Sequence, residues 1–309
     1  MENKQPILSI CIPIYNRLNY LEKMLARFTE DKELFEEQIH LFISDNCSED
    51  DLRTCCEKYQ KQGLKLEYHR NDENIGPDKN FELCFAKGKG KYTWLLGSDD
   101  IPRQGVISTI LQALHKDGEF GLIHLKMRAR KDDIQIFHDS DTMIEGVNYW
   151  ITYMSSNIIL SKNIVSFDLE RYRGSYLIQV PMYLYSCGKC KDNVILSIKK
   201  PFEDDNDVEN NGGFNFFKVF VENLYRIMLE FVDKGMFSHT AFEKVKKIEF
   251  KEHLAPHVVT CLLLKTNKNY DNTNAWKILK HHYRGKKYVP ICVSISLVKW
   301  VIKKIIGRE

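Results

Sequence analysis

Compact apolar blocks alternate with amphipathic segments between residues 7 and 127. The blocks are short and rich in β-branched or aromatic residues, which predicts buried strands over residues 7–14, 40–44, 65–69, 92–96 and 120–127. Between the blocks, apolar residues recur at helical spacing over residues 19–27, 48–60, 77–86 and 104–115. This alternation predicts an α/β fold, Rossmann-like, with a mostly parallel sheet covered by helices.

Polar residues come directly after the predicted strands. In a parallel sheet the carboxyl ends of the strands meet at one edge, where ligands collect. The polar segments expected at this edge are Tyr15-Asn16-Arg17, Asp45-Asn46, residues 71–78 and Ser98-Asp99-Asp100. A shared binding site is therefore predicted there.

Asp99 and Asp100 carry the clearest chemical signal. Two carboxylates at the end of a buried strand suit Mg²⁺ or Mn²⁺, hard cations that take oxygen ligands and share them with substrate phosphates. Such a cation would neutralise the charge that builds on a diphosphate leaving group. The alternative is structural, because acidic residues are common at helix N-termini and Pro102 follows closely.

Asp45 is a candidate for nucleotide contact, since a carboxylate there accepts hydrogen bonds from ribose hydroxyls or a base N–H. The alternative is an Asx-turn with Ser48, itself the predicted N-cap of the next helix. Tyr15, Asn16 and Arg17 provide a ring for stacking, an amide and a guanidinium fork that suits phosphate. Arg17 taken alone is equally consistent with a surface charge.

The turn from Asn74 through Gly76 to Asp78 precedes a predicted helix. Its amides are candidates for phosphate or sugar contact. An ordinary tight turn explains the same glycine and the following proline equally well.

Composition and missing motifs exclude several classes. A net charge of +3 gives no argument for nucleic-acid binding, and neither a GxGxxG after the first strand nor a Walker A loop is present. The nine cysteines are scattered, with one isolated Cys187-Gly-Lys-Cys190, which favours reduced thiols over a zinc site. Without a signal-like start or an apolar stretch of about 18 residues, we expect a cytoplasmic protein.

Four segments, in order and at family spacing, resemble the motifs of family-2 glycosyltransferases with the GT-A fold: residues 9–17 (SICIPIYNR), 43–48 (ISDNCS), 71–76 (NDENIG) and 94–100 (WLLGSDD). The resemblance covers roughly residues 6–125. Weaker similarity at 173–179 and 211–215 points to the abequosyltransferase-like branch that builds bacterial surface polysaccharides. A GT-A fold with a helical C-terminal appendage is thereby implied.

The resemblance implies roles for particular residues. Asp45 is expected to contact the nucleotide, and Asp99 and Asp100 to hold the diphosphate through the metal. Ser98 stands where the family's DxD motif usually begins with Asp, so metal affinity is expected to be lower. The predicted substrate-binding set is Pro13, Tyr15, Asn16, Arg17, Asp45, Asn74, Gly76, Asp78, Ser98 and Asp99.

An inverting transfer needs a carboxylate that takes the proton of the acceptor hydroxyl. The family usually supplies this base from an acidic motif after the DxD, and no clean counterpart occurs here. Asp168 and Glu170 are candidates near the expected position, whereas the acidic run 203–205 is more typical of a solvated loop. The base is left unassigned.

The chain is predicted to comprise a catalytic domain over residues 1–205 and a mostly helical region over 206–309. A helix packed through one apolar side is expected over 214–232. From Lys280 to Glu309, eight Lys or Arg oppose one acid. If this end is helical, Ile291, Ile295, Val298, Ile302 and Ile305 form an apolar stripe, and Ser296, Lys299 and Lys303 fall on another face.

An apolar stripe beside a basic face is the pattern of a helix that lies on an anionic membrane surface. A helix docked on its own domain is the alternative. Together these features favour a glycosyltransferase that uses a nucleotide-diphosphate sugar and a glycan or lipid-linked acceptor, peripheral to the cytoplasmic membrane. Two alternatives stay open: a sugar nucleotidyltransferase, and a non-catalytic binder of nucleotide sugars.

Overall fold

A computed structural model describes residues 5–116, 118–164, 167–203 and 213–307. The chain divides into two units, Met1–Asn206 and Asp207–Glu309. The described strands, all in the first unit, are β1 (Leu8–Ile14), β2 (Ile39–Asp45), β3 (Glu67–Arg70), β4 (Tyr92–Leu95), β5 (Phe120–Lys126), β6 (Asp133–Phe137), β7 (Asn157–Leu160) and β8 (Asp192–Ser197).

These strands form a single sheet in the order β3-β2-β1-β4-β7-β5-β8-β6. Strand β1 pairs in parallel with β2 and β4, β2 with β3, and β5 with β8. Strand β7 is inserted antiparallel between β4 and β5, and β6 closes one edge antiparallel to β8. The predicted mostly parallel α/β sheet is confirmed, and its strands other than β6 and β7 run in one direction.

Helices cover the sheet because its central strands, such as β1 and β4, are apolar on both faces. All seven residues of β1 are buried, as expected for a strand between two parallel neighbours. The α-helices of the first unit are α1 (Leu18–Thr29), α2 (Lys32–Glu37), α3 (Leu52–Lys61), α4 (Pro77–Lys87), α5 (Val106–Leu114), α6 (Ser140–Val147) and α7 (Val180–Lys189). Short 3₁₀ turns span Asn148–Thr152, Met154–Ser156, Ser161–Asn163 and Glu170–Tyr172.

The predicted cap of helix α3 is wrong. The helix begins at Leu52, and its N-cap is Asp51, whose side chain accepts a hydrogen bond from the Thr54 amide. Ser48 lies in the preceding loop, where its hydroxyl accepts a hydrogen bond from the Asn16 amide at 3.0 Å. The loop after β2 is therefore tied to the loop after β1.

The second unit is helical throughout its described elements. They are α8 (Leu224–Asp233), α9 (His239–Glu249), α10 (Ala255–His257), α11 (Ala275–Tyr283) and α12 (Tyr288–Ile306), with π-helical stretches at Lys218–Asn223, Phe250–Leu254 and Val258–Leu263. The predicted helix over 214–232 is found as a π-helical stretch continued by α8. Among the described residues, no helix is long and apolar enough to cross a bilayer.

Candidate functional site

The polar segments predicted at the strand ends do meet at one edge of the sheet. The amide nitrogen of Asn46 (Nδ2) lies 2.8 Å from Oδ1 of Asn74, which joins the loop after β2 to the turn after β3. The guanidinium of Arg17, after β1, lies 2.7 Å from a carboxylate oxygen of Asp99, after β4. Because β1 to β4 are parallel, their carboxyl ends share this edge, and the loops come together there.

Asp99 and Arg17 form a half-exposed ion pair. Their side chains are 38% and 41% exposed, respectively. Nη1 of Arg17 also lies 3.4 Å from the Ser98 hydroxyl. Asp99 is thus an accessible carboxylate whose present partner is a cation of the protein itself.

Asp100 is held differently, by hydroxyl groups. Tyr153 donates to its Oδ1, and Ser155 donates to its Oδ2 at 2.5 Å. The Ser155 hydroxyl also accepts a hydrogen bond from the Gly97 amide at 2.8 Å. Burial raises the pKa of Asp100 to about 6, although the bonds from Ser155 and Tyr153 oppose the rise. The carboxyl group is fixed in place and does not cap a helix.

The two carboxylates fit a divalent cation that is shared with a substrate. Hard cations such as Mg²⁺ bind through one or two carboxylates and complete their shell with water and phosphate oxygens. The described residues contain no cluster of three or more Asp, Glu, His or Cys side chains able to enclose a metal. Asp99 and Asp100 therefore suit a cation that arrives with, or is completed by, a diphosphate.

Asp45 is completely buried, and its side-chain oxygens are bonded within the protein, so its expected nucleotide contact stays a prediction. Its Oδ2 accepts hydrogen bonds from the Tyr68 hydroxyl at 2.5 Å and from Arg70 at 3.0 Å. Its Oδ1 accepts one from the Ser48 amide at 2.8 Å. Burial alone would raise the pKa of Asp45, but these hydrogen bonds outweigh it and hold the pKa below its usual value. Asp45 orients Arg70, whose side chain is 36% exposed.

Pro13 is buried inside β1, where it pairs with Ser44, and its expected substrate contact stays a prediction. Tyr15, by contrast, is 43% exposed, and its ring is available for stacking at this edge. The side-chain oxygen of Asn16 accepts a hydrogen bond from the Glu49 amide at 2.7 Å. All three residues of this segment are at least partly exposed, and the side-chain oxygen of Asn16 is the one already bonded to a neighbouring loop.

Two amides of the turn after β3 are hydrogen-bonded to asparagine side chains. The Gly76 amide donates to Oδ1 of Asn74 at 3.0 Å, and the Ile75 amide donates to Oδ1 of Asn46 at 3.0 Å. Oδ2 of Asp78 accepts from the Gly174 amide at 2.6 Å. Two amides of the turn are thus bonded within the protein, and the expected phosphate or sugar contact of the turn stays a prediction. Gly76 is required for its φ of 81°, which a side chain would strain.

Asp168 and Glu170 lie at the opposite edge of the sheet, so neither is placed to act as the base. Both line a cavity of about 810 Å³ together with residues that precede β1, β4 and β5, such as Gln5, Lys91 and Glu119. Asp168 accepts a hydrogen bond from the Glu170 amide at 2.9 Å, an arrangement typical of a turn. The strands separate this cavity from Asp99 and Asp100.

The acidic run 203–205 falls only partly within the described chain. The Glu203 amide donates to the carbonyl of Ile101 at 2.9 Å, which places Glu203 beside the segment that follows Asp100. Asp204 and Asp205 lie outside the described residues.

Tyr153 and Ser155 are site residues that the sequence did not indicate. They precede β7, which runs antiparallel to β4, so residues before β7 lie beside residues after β4. In a parallel sheet, the sequence shows which polar residues follow a strand and so lie at the site. An inserted antiparallel strand instead places the residues that precede it at the site. Tyr68 and Arg70, the partners of Asp45, were missed for a simpler reason, because they lie within β3 itself.

An α/β sheet whose carboxyl edge presents an acidic pair, an arginine and an exposed tyrosine defines an α/β protein with a polar candidate ligand site at that edge. The family comparison is specific: the chain matches Glycosyl transferase family 2 over residues 9–168 and belongs to that family.

Curated relatives match parts of the chain. Abequosyltransferase RfbV of Salmonella typhimurium is 38% identical over 95 residues, which cover 30% of this chain and 28% of that protein. The GalNAc(5)-diNAcBac-PP-undecaprenol beta-1,3-glucosyltransferase of Campylobacter jejuni is 28% identical over 108 residues, covering 35% and 34% of the two chains. These matches span only about a third of each relative's length.

Solved structures match over nearly the whole chain but at low identity, so they bear on the fold. S. aureus TarS 1–349 in complex with UDP-GlcNAc has a TM-score of 0.63 at 14% identity, covering 98% of this chain and 92% of that one. The mannosyltransferase PcManGT of Pyrobaculum calidifontis, in complex with GDP-Man and Mn²⁺, has a TM-score of 0.52 at 10% identity, covering 99% and 88%. The GT-A expectation for the fold is confirmed.

Proposed function

We propose that this chain transfers a sugar, with inversion, from a nucleotide-diphosphate donor to a glycan or lipid-linked acceptor in bacterial surface polysaccharide synthesis. The observation that carries the proposal is the pair Asp99–Asp100 at the carboxyl end of β4, with Arg17 at 2.7 Å from Asp99. Family membership and the relatives' names support the reaction class.

The residues of the site have distinct tasks in this proposal. Asp99 and Asp100 would hold Mg²⁺ or Mn²⁺, which when bound offsets the charge of the diphosphate leaving group. Arg17 offers a guanidinium fork to phosphate oxygens, and the exposed ring of Tyr15 offers a face to the base. Tyr153 and Ser155 fix the Asp100 carboxyl group, so little reorganisation is needed when the donor arrives.

Thermal shift with UDP-, GDP-, CDP- and dTDP-sugars, each with and without Mn²⁺, tests the donor site. We expect one donor to raise the melting temperature only when metal is present, and Asp99→Asn and Asp100→Asn to abolish that rise. Analysis of the reaction products then distinguishes a glycosyltransferase from the two alternatives, a nucleotidyltransferase and a non-catalytic binder. Release of pyrophosphate would indicate a nucleotidyltransferase, and metal-dependent donor binding with no sugar released would indicate a binder.

The base is tested by replacing acids at the two edges of the sheet. Glu203→Gln is the informative variant, because Glu203 lies beside the segment after Asp100. Asp168→Asn and Glu170→Gln are the matched controls at the opposite edge. We expect both controls to keep sugar transfer; a loss of turnover with intact donor binding in either control contradicts the placement of the site.

We infer in addition that helix α12 rests on an anionic membrane surface, which suits a cytoplasmic enzyme with a lipid-linked acceptor. The predicted stripe is exposed along the helix, with Ile291 at 59%, Ile295 at 49%, Val298 at 56%, Ile302 at 48% and Ile305 at 77%. The opposite face is the half-buried one. This favours a membrane-facing stripe over the alternative in which the stripe docks on the protein.

Sedimentation with vesicles tests the membrane proposal. We expect the full chain to bind vesicles that contain anionic lipid and not purely zwitterionic ones, and Ile295→Glu with Ile302→Glu to release it. Both positions are exposed, so the fold is expected to tolerate the change. Equal binding of wild type and double variant contradicts the proposal.

A further inference from the structure

A second group of charges lies at the carboxyl edge of the sheet, on the far side of Asp100 from Arg17. Its members follow β5 and β8, which are neighbours and point in the same direction as β4. All are exposed, and we call them the basic edge: Lys126, Arg128, Arg130, Lys131, Lys199 and Lys200.

The basic edge adjoins the acidic pair through direct contacts. Nε of Arg103 donates to the carbonyl of Phe202 at 2.9 Å, so the loop after β8 lies against the loop after β4. The guanidinium of Arg128 lies 5.5 Å from the centre of the Trp150 ring, and that ring lies 6.3 Å from the ring of Tyr153. The Tyr153 hydroxyl donates to Asp100. Two rings thus separate Arg128 from the candidate metal ligand.

Among the described residues of these loops there are six cations and three acids, Asp132, Asp133 and Glu203. Within the described chain, four of the cations form no ion pair with another residue: Lys126, Arg130, Lys131 and Lys199. Asp132 and Asp133, just before and at the start of β6, each accept a hydrogen bond from a backbone amide. Asp132 accepts a hydrogen bond from the Lys199 amide at 2.8 Å, and Asp133 accepts one from the Ile134 amide at 3.0 Å. Clustered like charges raise the local concentration of an anion.

Arg128 is held in an unfavourable backbone conformation. Its φ is 60°, a region that non-glycine residues seldom occupy. In this conformation the guanidinium lies over the half-buried Trp150, and cation–π attraction limits its motion. A pre-positioned guanidinium fork suits the paired oxygens of phosphate.

We propose that the basic edge binds a phosphate group of the acceptor, so that the acceptor is a sugar phosphate ester whose hydroxyl reaches the donor site. This inference rests on the proposed function and adds the chemical class of the acceptor. Arg128 contacts the phosphate, and Lys199 adds charge from the neighbouring loop. A lipid-linked diphospho-sugar and a simple sugar phosphate share this chemistry.

Calorimetric titration tests the proposal with three probes: N-acetylglucosamine, N-acetylglucosamine 1-phosphate, and N-acetylglucosamine linked to farnesyl diphosphate. The titrations contain EDTA, which prevents the phosphates from binding through a cation at Asp99 and Asp100. We expect both phosphorylated probes to bind at least about tenfold more tightly than the free sugar, as a charge-assisted contact implies. Tighter binding of the farnesyl probe would identify the lipid-linked source, and equal binding of both would identify the phosphate ester alone.

Matched variants decide where the probes bind. Arg128→Ala is expected to weaken binding of the phosphorylated probes about tenfold or more, and Lys199→Ala to weaken it by a smaller factor. Lys191→Ala is the control, because Lys191 is an exposed cation just before β8, at the opposite edge. Equal affinities for phosphorylated and free sugar, or equal effects of Arg128→Ala and Lys191→Ala, would overturn the inference.

Binding of the nucleotide-sugar donor is measured on the same protein preparations, with Mn²⁺ in place of EDTA. If wild type binds a nucleotide sugar but shows no preference for sugar phosphates, only this inference fails. If wild type binds no nucleotide sugar, the proposed function fails, whereas an Arg128-dependent preference for sugar phosphate still upholds the basic edge as a phosphate site.

Discussion

Removing Arg17 is expected to change metal and nucleotide affinity in opposite directions. Without ligand, Arg17 lies 2.7 Å from Asp99 and supplies the positive charge that a divalent cation would bring. A cation that binds Asp99 must displace the guanidinium, which is then free to turn to the diphosphate. Arg17→Ala therefore frees Asp99 for the metal and deprives the diphosphate of a partner.

The exposure of the pair determines the size of each effect. Both side chains are about two-fifths exposed, at 41% and 38%. Ion pairs in such positions contribute roughly 0–1 kcal/mol, so Mn²⁺ should bind up to about fivefold more tightly to Arg17→Ala. A charge-assisted hydrogen bond to phosphate contributes about 1.5–3 kcal/mol, so nucleotide affinity should fall by roughly ten- to a hundredfold.

Two titrations measure these changes. The electron paramagnetic resonance signal of free Mn²⁺ reports metal binding without nucleotide, and calorimetry with Mn²⁺ present reports binding of the nucleoside diphosphate. Arg17→Lys is the control, since it keeps a charge near Asp99 but lacks the fork, and should lose nucleotide affinity without gaining metal affinity. If Arg17→Ala weakens Mn²⁺ binding as well, Arg17 positions Asp99 rather than competing for it, and the reasoning is refuted.

Three further outcomes are expected. A methyl group at Gly97 would lie 2.6 Å from Oδ2 of Asp100 and 3.1 Å from Oδ1 of Asp99, so Gly97→Ala should displace both carboxylates and abolish metal-dependent thermal stabilisation while the protein stays folded by circular dichroism. Tyr153→Phe keeps the ring but removes a donor to Asp100, and should weaken Mn²⁺ binding about tenfold by the resonance assay; unchanged affinity would show that Ser155 alone suffices. Burial raises the pKa of Glu249 from 4.5 to about 8. The stability that the protonated side chain contributes is therefore fully present below pH 4.5 and is lost as the pH rises to 8. Measured by urea unfolding, the free energy of unfolding of Glu249→Gln should exceed that of wild type by up to about 5 kcal/mol at pH 8 and by little at pH 5. The exposed control Glu252→Gln should match wild type at both pH values. A difference between Glu249→Gln and wild type that does not depend on pH contradicts the buried acid.

The sequence alone determined the parallel core of the fold and the edge on which the site lies. Strands such as β1 are apolar throughout, because parallel neighbours and covering helices bury both faces, and that pattern is visible without a structure. Placing Arg17 near Asp99 required only the rule that the ends of parallel strands share an edge. Those predictions depend only on the local pattern of apolar and polar residues and on the rule that parallel strands end at the same edge of a sheet.

Only the tertiary structure decided which polar residues face the site. The sequence shows that Asp45 follows a strand, but not that Tyr68 and Arg70 of the neighbouring strand occupy its oxygens. Asp168 and Glu170 follow the acidic pair in sequence, yet the antiparallel course of β7 carries the chain to the other edge before it reaches them. Strand direction and long-range hydrogen bonds arise from contacts between residues far apart in the chain, which local periodicity does not record.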